Sequence, residues 1–309
     1  MSLRENRGAS PDVRSFVRAA TIEIIPVKGY EQRLAAVPTD TTVTITCSPR
    51  FGLERTLGAT EFAAAAGYTV VPHLAARQVT DETELKEFVG RLDAAGVRDL
   101  YVIGGDASEP AGIYSSAAEL LDALGAIGHS LTSIGVACYP EGHPAISDDE
   151  LMAALRLKQS LADYMVSQLC FDTDALLTWL RAVRSAGVTL PLHIGLAAPM
   201  QTRKLAELSL KIGVGSSLRY LTKQHGLIGT VLRGKSYRPE QVLIDMGSEL
   251  TSPALNVERL HMFSFNQVTA TVEWQRRLAG PSNSGDLSPR PARSPHLDQR
   301  RRHGWKSPK

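Results

Sequence analysis

The sequence has few cysteines and no long apolar run. Its three cysteines, Cys47, Cys138 and Cys170, include no CxxC pair. An odd number without such a pair predicts a reduced, cytoplasmic protein and argues against a disulfide framework. No apolar run approaches the roughly 20 residues that cross a bilayer. Residues 1–18 are polar and lack the apolar core of a secretory signal, so we expect no membrane partner.

A strong excess of one charge is also absent, although the charge is unevenly distributed. The chain carries a net charge of +2, while residues 280–309 hold seven Lys or Arg and two Asp. This tail therefore has a net charge of +5 and the remainder about −3. Its Pro, Ser and Arg content, with few apolar residues, predicts a disordered basic tail. We interpret Arg300-Arg301-Arg302 as part of a solvated segment and expect no nucleic-acid partner.

What the chain does contain is a regular alternation of strand-like and helix-like segments. Apolar residues make up 43% of the 309 residues and charged residues 21%, which is typical of a globular protein. Short apolar or alternating segments predict eight strands, at residues 20–25, 42–47, 68–71, 99–103, 133–138, 164–170, 190–195 and 260–263. Helical patterns follow these strands, with two or three helices expected between residues 202 and 249.

Strands that alternate with helices predict a parallel sheet. Eight such units in about 260 residues predict an α/β fold of the (β/α)8 TIM barrel type, over residues 19–279, with extra helices between strands 7 and 8. Residues 1–18 are then a polar N-terminal extension. An open doubly wound sheet would need a glycine-rich turn after its first strand. Residues 26–29 read Pro-Val-Lys-Gly and do not match. The residues favour no particular oligomeric state.

Residues 134–144 are the most informative stretch, because a buried strand ends abruptly in a stiff polar loop. Pro140 and Pro144 flank a carboxylate and an imidazole. In a (β/α)8 barrel the active site lies at the carboxyl ends of the strands. Polar or reactive side chains stand at nearly every such position, namely Glu23, Thr46, Cys47, His73, Asp106, Tyr139, Glu141, His143, Gln168, Asp172 and Asn266. Their convergence at one mouth favours a small-molecule enzyme.

Glu23 is the strongest single candidate. It lies inside an apolar strand, between Ile22 and Ile24, with its side chain alternating with theirs. A carboxyl group that points into the barrel mouth would be desolvated, which raises its pKa. Such a group suits general acid catalysis near neutral pH. The alternative interpretation is a structural glutamate paired with a basic side chain.

Two further groupings have both a functional and a structural interpretation. Gly104, Gly105 and Asp106 would let a flat ring or a phosphate approach the backbone, or they form a simple turn. Two cysteines and two histidines also fall at the mouth and could ligate zinc: Cys47, His73, Cys138 and His143. Their spacing matches no zinc pattern, which favours buried thiols and polar histidines. We therefore expect no metal site.

Taken together, the motifs resemble the methylenetetrahydrofolate reductase family, a family of (β/α)8 barrels. The markers run from about Thr21 to Trp274 in order along the chain: residues 21–26 (TIEIIP), 72–74 (PHL), 105–106 (GD), 139–144 (YPExHP), 168–172 (QxxFD) and 261–266 (HxxxxN). The resemblance implies a reaction of one-carbon metabolism, the reduction of 5,10-methylenetetrahydrofolate to 5-methyltetrahydrofolate. NADH or NADPH would supply the electrons.

The resemblance also implies residue roles. Glu23 would be the acid that protonates the folate and opens its bridge to an iminium ion. Asp106 would act near the pterin and flavin, and Gln168 would contact the folate and the nicotinamide. Further cofactor contacts would come from Thr46, His73, Gly105, Tyr139 and His143.

The chain departs from the family pattern where the family binds FAD. The arginine before the Gly-Asp pair is Gly104, the asparagine and lysine of the helix after strand 5 are Ala153 and Leu157, and the arginine after the late asparagine is Gln267. Lys158 is next to Leu157 but points about 100° away on a helix. Loss of phosphate-facing cations predicts weak or absent FAD. Without FAD, hydride would pass directly from NADH to the iminium, with both bound in near-attack geometry.

Two other functions stay open on the sequence. A metal- or corrinoid-linked folate methyltransferase would use Cys47, Cys138 and the histidines. A non-catalytic folate-binding relative would keep the pterin site and lose the cofactor site, although binding alone does not require a buried acid at position 23.

Overall fold

A computed structural model describes residues 10–211 and 236–280 of the chain. In these residues eight parallel strands pair in sequence order and close into a barrel, with β8 against β1. The strands are β1 (Thr21–Ile24), β2 (Val43–Ile45), β3 (Val70–Ala75), β4 (Asp99–Ile103), β5 (Ser133–Cys138), β6 (Tyr164–Ser167), β7 (Leu192–Ala197) and β8 (Val257–Phe263). The predicted (β/α)8 barrel is confirmed. The tail predicted to be disordered lies, beyond Gly280, outside the described residues.

Helices follow the strands as the alternation predicts. They are α1 (Pro11–Arg18), α2 (Tyr30–Leu34), α3 (Gly52–Ala65), α4 (Glu82–Ala94), α5 (Ala117–Ile127), α6 (Asp148–Lys158), α7 (Thr173–Ser185), α8 (Thr202–Lys211), α9 (Glu240–Met246) and α10 (Val268–Ala279). The helices α8 and α9 stand between β7 and β8, as expected. Within the described ranges, no helix is long and apolar enough to cross a membrane.

Local sequence fixes where these helices begin. Ser147 and Glu150 form a reciprocal capping box at the start of α6. Asp81 and Asp172 accept a hydrogen bond from the first turn of α4 and α7, respectively. Each cap ends the loop that follows a strand, so it sets the length of chain available at the barrel mouth.

Several strand boundaries differ from prediction, most of them by one to three residues. The sequence predicts that the third strand ends at Val71 before Pro72, and this is wrong, because β3 continues to Ala75. Pro72 stays opposite Ile45 of β2, and pairing with β4 begins at His73. A proline removes a single N–H donor from the ladder, and the pairs on either side maintain the strand. The predicted sixth strand is too long, since β6 ends at Ser167.

The N-terminal segment is partly integrated into the barrel. Residues 1–18 are predicted as a polar extension, yet α1 buries Val13 and Val17. The side-chain amide of Gln275 in α10 donates to the carbonyl of Val17 at 3.0 Å. Helix α1 therefore packs on the last helix of the barrel, and residues 11–18 belong to its body.

The barrel interior contains two groups of polar side chains, one at each end. The mouth cluster consists of Glu23, His73 and His261, toward the carboxyl ends of the strands. The base cluster consists of Asp99, Tyr164, His193 and Arg259, toward the amino ends. A cavity of about 20 Å³ inside the barrel is lined by the base cluster and by His261.

Candidate active site

The mouth cluster brings three strands together around one carboxylate. Glu23 on β1 is 5% exposed, His73 on β3 is 3% exposed and His261 on β8 is 2% exposed. The Oε2 atom of Glu23 lies 3.2 Å from Nε2 of His261 and 3.9 Å from Nε2 of His73. Closure of the barrel places Thr21 opposite His261, which brings the two strands into this register.

The electrostatics of Glu23 differ from the sequence-based expectation. Burial raises the pKa of the carboxyl group, but the hydrogen bond with His261, electrostatic interactions with the two histidines and a hydrogen bond from Thr46 outweigh it. The pKa of Glu23 is therefore below its ordinary value, and the predicted upward shift is wrong. Burial also lowers the pKa of His73 to about 4, against the opposing charge of Glu23, so this imidazole is neutral at neutral pH.

The backbone under Glu23 is held by the loop after β8. The Ser264 hydroxyl donates to the Glu23 carbonyl. Asn266 accepts from the amide of Ile25 at 2.9 Å and donates to its carbonyl at 3.0 Å. The backbone of Asn266 adopts φ 58°, in the left-handed region that asparagine tolerates better than most residues. Asn266 and Ser264 therefore position Glu23 through its main chain.

Thr46 completes this support from the other side. Its amide and its hydroxyl both donate to the carbonyl of Ile24, at 3.0 and 3.3 Å. It is the one predicted cofactor contact, besides His73, that the structure connects directly to Glu23, through a side-chain hydrogen bond.

The loop after β5 forms another side of the mouth. The rings of Tyr139 and His143 pack edge to face with centroids 5.1 Å apart. Burial, and then the charge of nearby Asp106, raises the pKa of Tyr139 to about 12, which keeps the phenol protonated. Asp106 itself is exposed at the rim. The side chain of Glu141 connects the loops after β5 and β6, because its Oε1 accepts hydrogen bonds from the amides of Phe171 and Asp172 at 2.6 and 2.9 Å.

The remaining predicted contacts lie on the neighbouring strand ends. Gly105 has φ 94°, and an added Cβ would come 3.0 Å from the Cβ of Ala75, so the turn after β4 requires glycine there. The main chain of Gln168 donates to the carbonyl of Cys138 at 2.8 Å, and its side-chain oxygen accepts from the amide of Leu169 at 3.0 Å. Gly105, Asp106, Tyr139, His143 and Gln168 thus occupy the adjoining ends of β4, β5 and β6, and no hydrogen bond or ion pair within the described ranges joins them to the mouth cluster.

The structure separates the sequence-based zinc candidates and assembles a different set. Cys47 and Cys138 are buried free thiols whose pKa is raised by burial, that of Cys138 to about 12. In the part of the chain that the structure describes, no three of Cys47, His73, Cys138 and His143 converge. The residues whose ligand atoms all lie within 4.8 Å of one another are Glu23, His73 and His261.

Sequence reasoning used His261 only as a marker of resemblance and missed its contact with Glu23. A usable signal was present, because His261 lies in an apolar strand between Leu260 and Met262, as Glu23 lies between Ile22 and Ile24. A polar group in such a position points into the barrel or is buried with a partner. Ser264 offered no comparable signal.

The buried carboxylate–imidazole cluster lies at the end of the (β/α)8 barrel at which barrel enzymes carry their active sites. The pattern that describes methylenetetrahydrofolate reductases matches residues 30–278, most of the chain. The protein therefore belongs to the methylenetetrahydrofolate reductase family.

Known relatives match over shorter regions. Methylenetetrahydrofolate reductase 1 of Schizosaccharomyces pombe is 42% identical over 65 residues, which are 20% of this chain and 11% of that enzyme. Methylenetetrahydrofolate reductase 2 of Saccharomyces cerevisiae is 26% identical over 156 residues, 47% of this chain and 25% of that enzyme. The matched regions thus span a quarter or less of these relatives.

Solved structures align with this chain at low identity. A 2,3-dimethylmalate lyase aligns over 91% of this chain and 93% of its own with a TM-score of 0.47 and 11% identity.

Helix α6 carries two of the positions at which the resemblance implies contacts with the diphosphate of FAD. Ala153 is exposed and Leu157 is 67% exposed, so the outward face carries apolar groups at the two positions where the family has an asparagine and a lysine. The amine of Lys158 is buried and donates to the carbonyl of Ala137 at 3.0 Å. Arg156 donates to the carbonyl of Ala186 at 3.1 Å. These residues do not fit an anionic diphosphate.

Proposed function

We propose that this protein reduces 5,10-methylenetetrahydrofolate to 5-methyltetrahydrofolate with hydride taken directly from a reduced nicotinamide dinucleotide, without a flavin. The observation that carries the proposal is the buried Glu23, hydrogen-bonded to His261 at the barrel mouth in a member of this family. The resemblance implies that a glutamate in this place protonates the bound folate.

The mouth cluster supplies the proton. Thr21 Oγ1 lies 3.4 Å from Nδ1 of His261, and because the threonine hydroxyl donates to the carbonyl of Leu260 at 3.4 Å, its oxygen accepts from the Nδ1–H of the imidazole. Nε2 of His261 faces Glu23 at 3.2 Å. We infer that His261 and Glu23 hold one proton between them, because Glu23 alone has a lowered pKa and is ionised. Glu23 transfers this proton to a nitrogen of the folate bridge, which leaves a carboxylate beside a neutral His261, and a proton from water restores the pair for the next cycle.

The reaction balances with one proton and one hydride. Protonation breaks a C–N bond of the bridge and leaves a methylene iminium on the other nitrogen. Hydride from the nicotinamide then reduces the methylene carbon to a methyl group, and the nicotinamide is oxidised. Buried surroundings favour this order, because they exclude the water that would otherwise hydrolyse the iminium.

The loops of β4, β5 and β6 provide the binding surface. Asp106 at the rim can accept hydrogen bonds from the pterin amino and ring N–H groups, and Gln168 offers an amide that both donates and accepts. Tyr139 and His143 between them present aromatic faces to a planar ring. With folate and nicotinamide bound at once, proximity replaces the flavin as the means of hydride transfer.

Absence of the flavin is supported by α6. Its outward face presents Ala153 and the exposed Leu157 where a diphosphate would need donors, and Lys158 is held behind β5. The first experiment is an absorbance spectrum of the purified protein, followed by NADH and NADPH oxidation with and without methylenetetrahydrofolate. A colourless protein that oxidises the nicotinamide only with folate present agrees with the proposal. A flavin band that is reduced during turnover contradicts the direct transfer.

Substitution of Glu23 tests the assigned acid. Glu23→Gln keeps the shape and a hydrogen bond to His261 but removes the transferable proton, so we expect kcat to fall by about 10²–10⁴-fold. Folate affinity, measured by quenching of intrinsic fluorescence, should change little. Glu258→Gln is the matched control, because Glu258 lies on β8 at the base side and faces His193. Full activity of Glu23→Gln would refute the role.

A non-catalytic folate-binding protein is the second candidate, and the apolar face of α6 favours it. It predicts folate binding by the wild type without turnover in the same assay. Folate-dependent nicotinamide oxidation by the wild type would exclude it.

A further inference from the structure

We propose that Glu23, His73 and His261 form a binding site for a divalent transition-metal ion of the zinc type. The three side chains present one carboxylate oxygen and two imidazole nitrogens, all within 4.8 Å of one another. Two histidines with one glutamate are a known zinc ligand set, which leaves a fourth position open for water or substrate.

The distances are close to those of a formed site. Ligand atoms bound to one tetrahedral zinc at about 2.0–2.1 Å stand about 3.4 Å apart. Here Glu23 Oε2 lies 3.2 Å from His261 Nε2 and 3.9 Å from His73 Nε2. The two imidazole nitrogens lie within 4.8 Å of each other, so the three ligand atoms already surround one point at the barrel mouth.

One atom of the cluster lacks a partner in the free protein. Nε2 of His73 is buried and, among the described residues, accepts or donates no hydrogen bond. A buried polar atom without a partner carries a desolvation cost. That atom faces Glu23, so a metal ion between them would satisfy it.

The surroundings hold the ligands in place. His261 is fixed by Thr21 at its other nitrogen, the arrangement by which zinc-binding histidines are usually oriented. The ring of His73 packs edge-on against Tyr101, with centroids 4.7 Å apart. Ser264 anchors the main chain of Glu23. Each ligand therefore has a second contact that limits its motion.

Metal binding and folate reduction would compete for Glu23. A carboxylate that ligates a metal cannot deliver a proton to the folate, so the bound ion would inhibit folate reduction. This consequence rests on the proposed function, whereas the binding itself does not. The two are tested by separate measurements.

The binding experiment uses the full chain after treatment with a chelator, titrated with Co²⁺ as a coloured substitute for Zn²⁺. We expect one Co²⁺ per chain with visible absorption bands, displaced by Zn²⁺. Loss of an outer-shell partner typically weakens metal binding by about 10–100-fold. His73→Gln and His261→Gln each remove a direct ligand, so each should weaken Co²⁺ binding by more than this. His143→Ala, at the exposed loop outside the cluster, should leave it unchanged. Circular dichroism and thermal unfolding verify that each variant is folded.

Some outcomes would overturn the proposal. They are no saturable Co²⁺ spectrum, a spectrum retained in both His73→Gln and His261→Gln, or an equal loss in His143→Ala. If a histidine variant does not fold, Glu23→Gln removes the carboxylate ligand and must weaken binding in the same way. Inhibition of the wild type by Zn²⁺ is then measured separately. A metal that binds a protein without reductase activity supports the site and refutes the function.

Discussion

The two polar clusters both lie inside the barrel, yet the pKa values of their carboxyl groups are shifted in opposite directions. At the base, the hydroxyl of Tyr164 donates to Asp99 at 2.9 Å, and burial raises the pKa of Asp99 to about 7. At the mouth, His261 bonds to Glu23, and the pKa of Glu23 is lowered. Burial is the largest single influence on the pKa of both carboxyl groups and raises it in both. The hydrogen-bond partners therefore decide the direction of the net pKa shift.

The hydrogen-bond partners also differ between the base cluster and the mouth cluster. At the base Tyr164 stacks on His193 with centroids 4.3 Å apart, and Gly135 makes room for its ring, since an added Cβ would come 2.4 Å from it. Hydrogen bonding and stacking thus join these base residues. At the mouth His73 has a buried nitrogen without a hydrogen-bond partner in the described chain. A packed network stabilises the barrel, and an incompletely satisfied one at the opening is available to a ligand.

The largest expected difference between variants of the two clusters is in the free energy of unfolding. Asp99→Ala leaves the buried hydroxyl of Tyr164 without its acceptor, which should lower the free energy of unfolding by about 1–3 kcal/mol. Activity per folded molecule should be unchanged. Asp99→Asn keeps an acceptor for Tyr164 and is the matched control. Urea unfolding followed by fluorescence measures the change, and a large loss of kcat in folded Asp99→Asn would contradict the structural role.

The second test uses the opposite pKa shifts. His73 has a pKa lowered to about 4, so its contribution to stability is present above the ordinary value of 6.5 and is lost as the pH falls toward 4. Asp99 has a pKa raised to about 7, so its contribution is present below the ordinary value of 3.8 and is lost as the pH rises toward 7. In the window from pH 4 to 6.5 the two oppose each other.

Variants at the two sites should therefore change the pH dependence in opposite senses. His73→Gln should make the slope of unfolding free energy against pH more negative, by up to about 1.4 kcal/mol per pH unit. Asp99→Asn should make it more positive. Urea denaturation at pH 4.5, 5.5 and 6.5 provides the slopes. If the slope of unfolding free energy against pH changed in the same direction in both variants, the assigned contrast between the clusters would be disproved.

The smallest expected effect is at the rim. The ring of His143 packs edge to face with Tyr139, and its Nδ1 accepts a hydrogen bond from the amide of Ala145 at 3.2 Å. His143→Ala should raise the KM for the nicotinamide by about 2–5-fold, the cost of one weak contact, with kcat nearly unchanged. Steady-state kinetics at saturating folate measure it. A fall in kcat comparable to that of Glu23→Gln would place His143 with the mouth cluster.

Much of this organisation is predictable from the sequence. The alternation of strands and helices predicts the barrel, because the buried face of each strand or helix sets the spacing of its apolar residues along the sequence. The same periodicity directs Glu23 into the interior. The capping residues of α6 and α7 are also visible as local patterns. Lys158 is correctly expected to turn away from the position of Leu157, since helical geometry sets that angle.

What the sequence by itself determined is thus the fold class and the end of the barrel at which the polar groups collect. Only the tertiary structure decided which of them meet. Glu23 and His261 are separated by 238 positions, and closure of β8 against β1 brings them to 3.2 Å. The direction of the pKa shift of Glu23 follows from that contact. Local patterns record which residues are buried, whereas barrel closure and strand register determine their partners, and the partners set the chemistry.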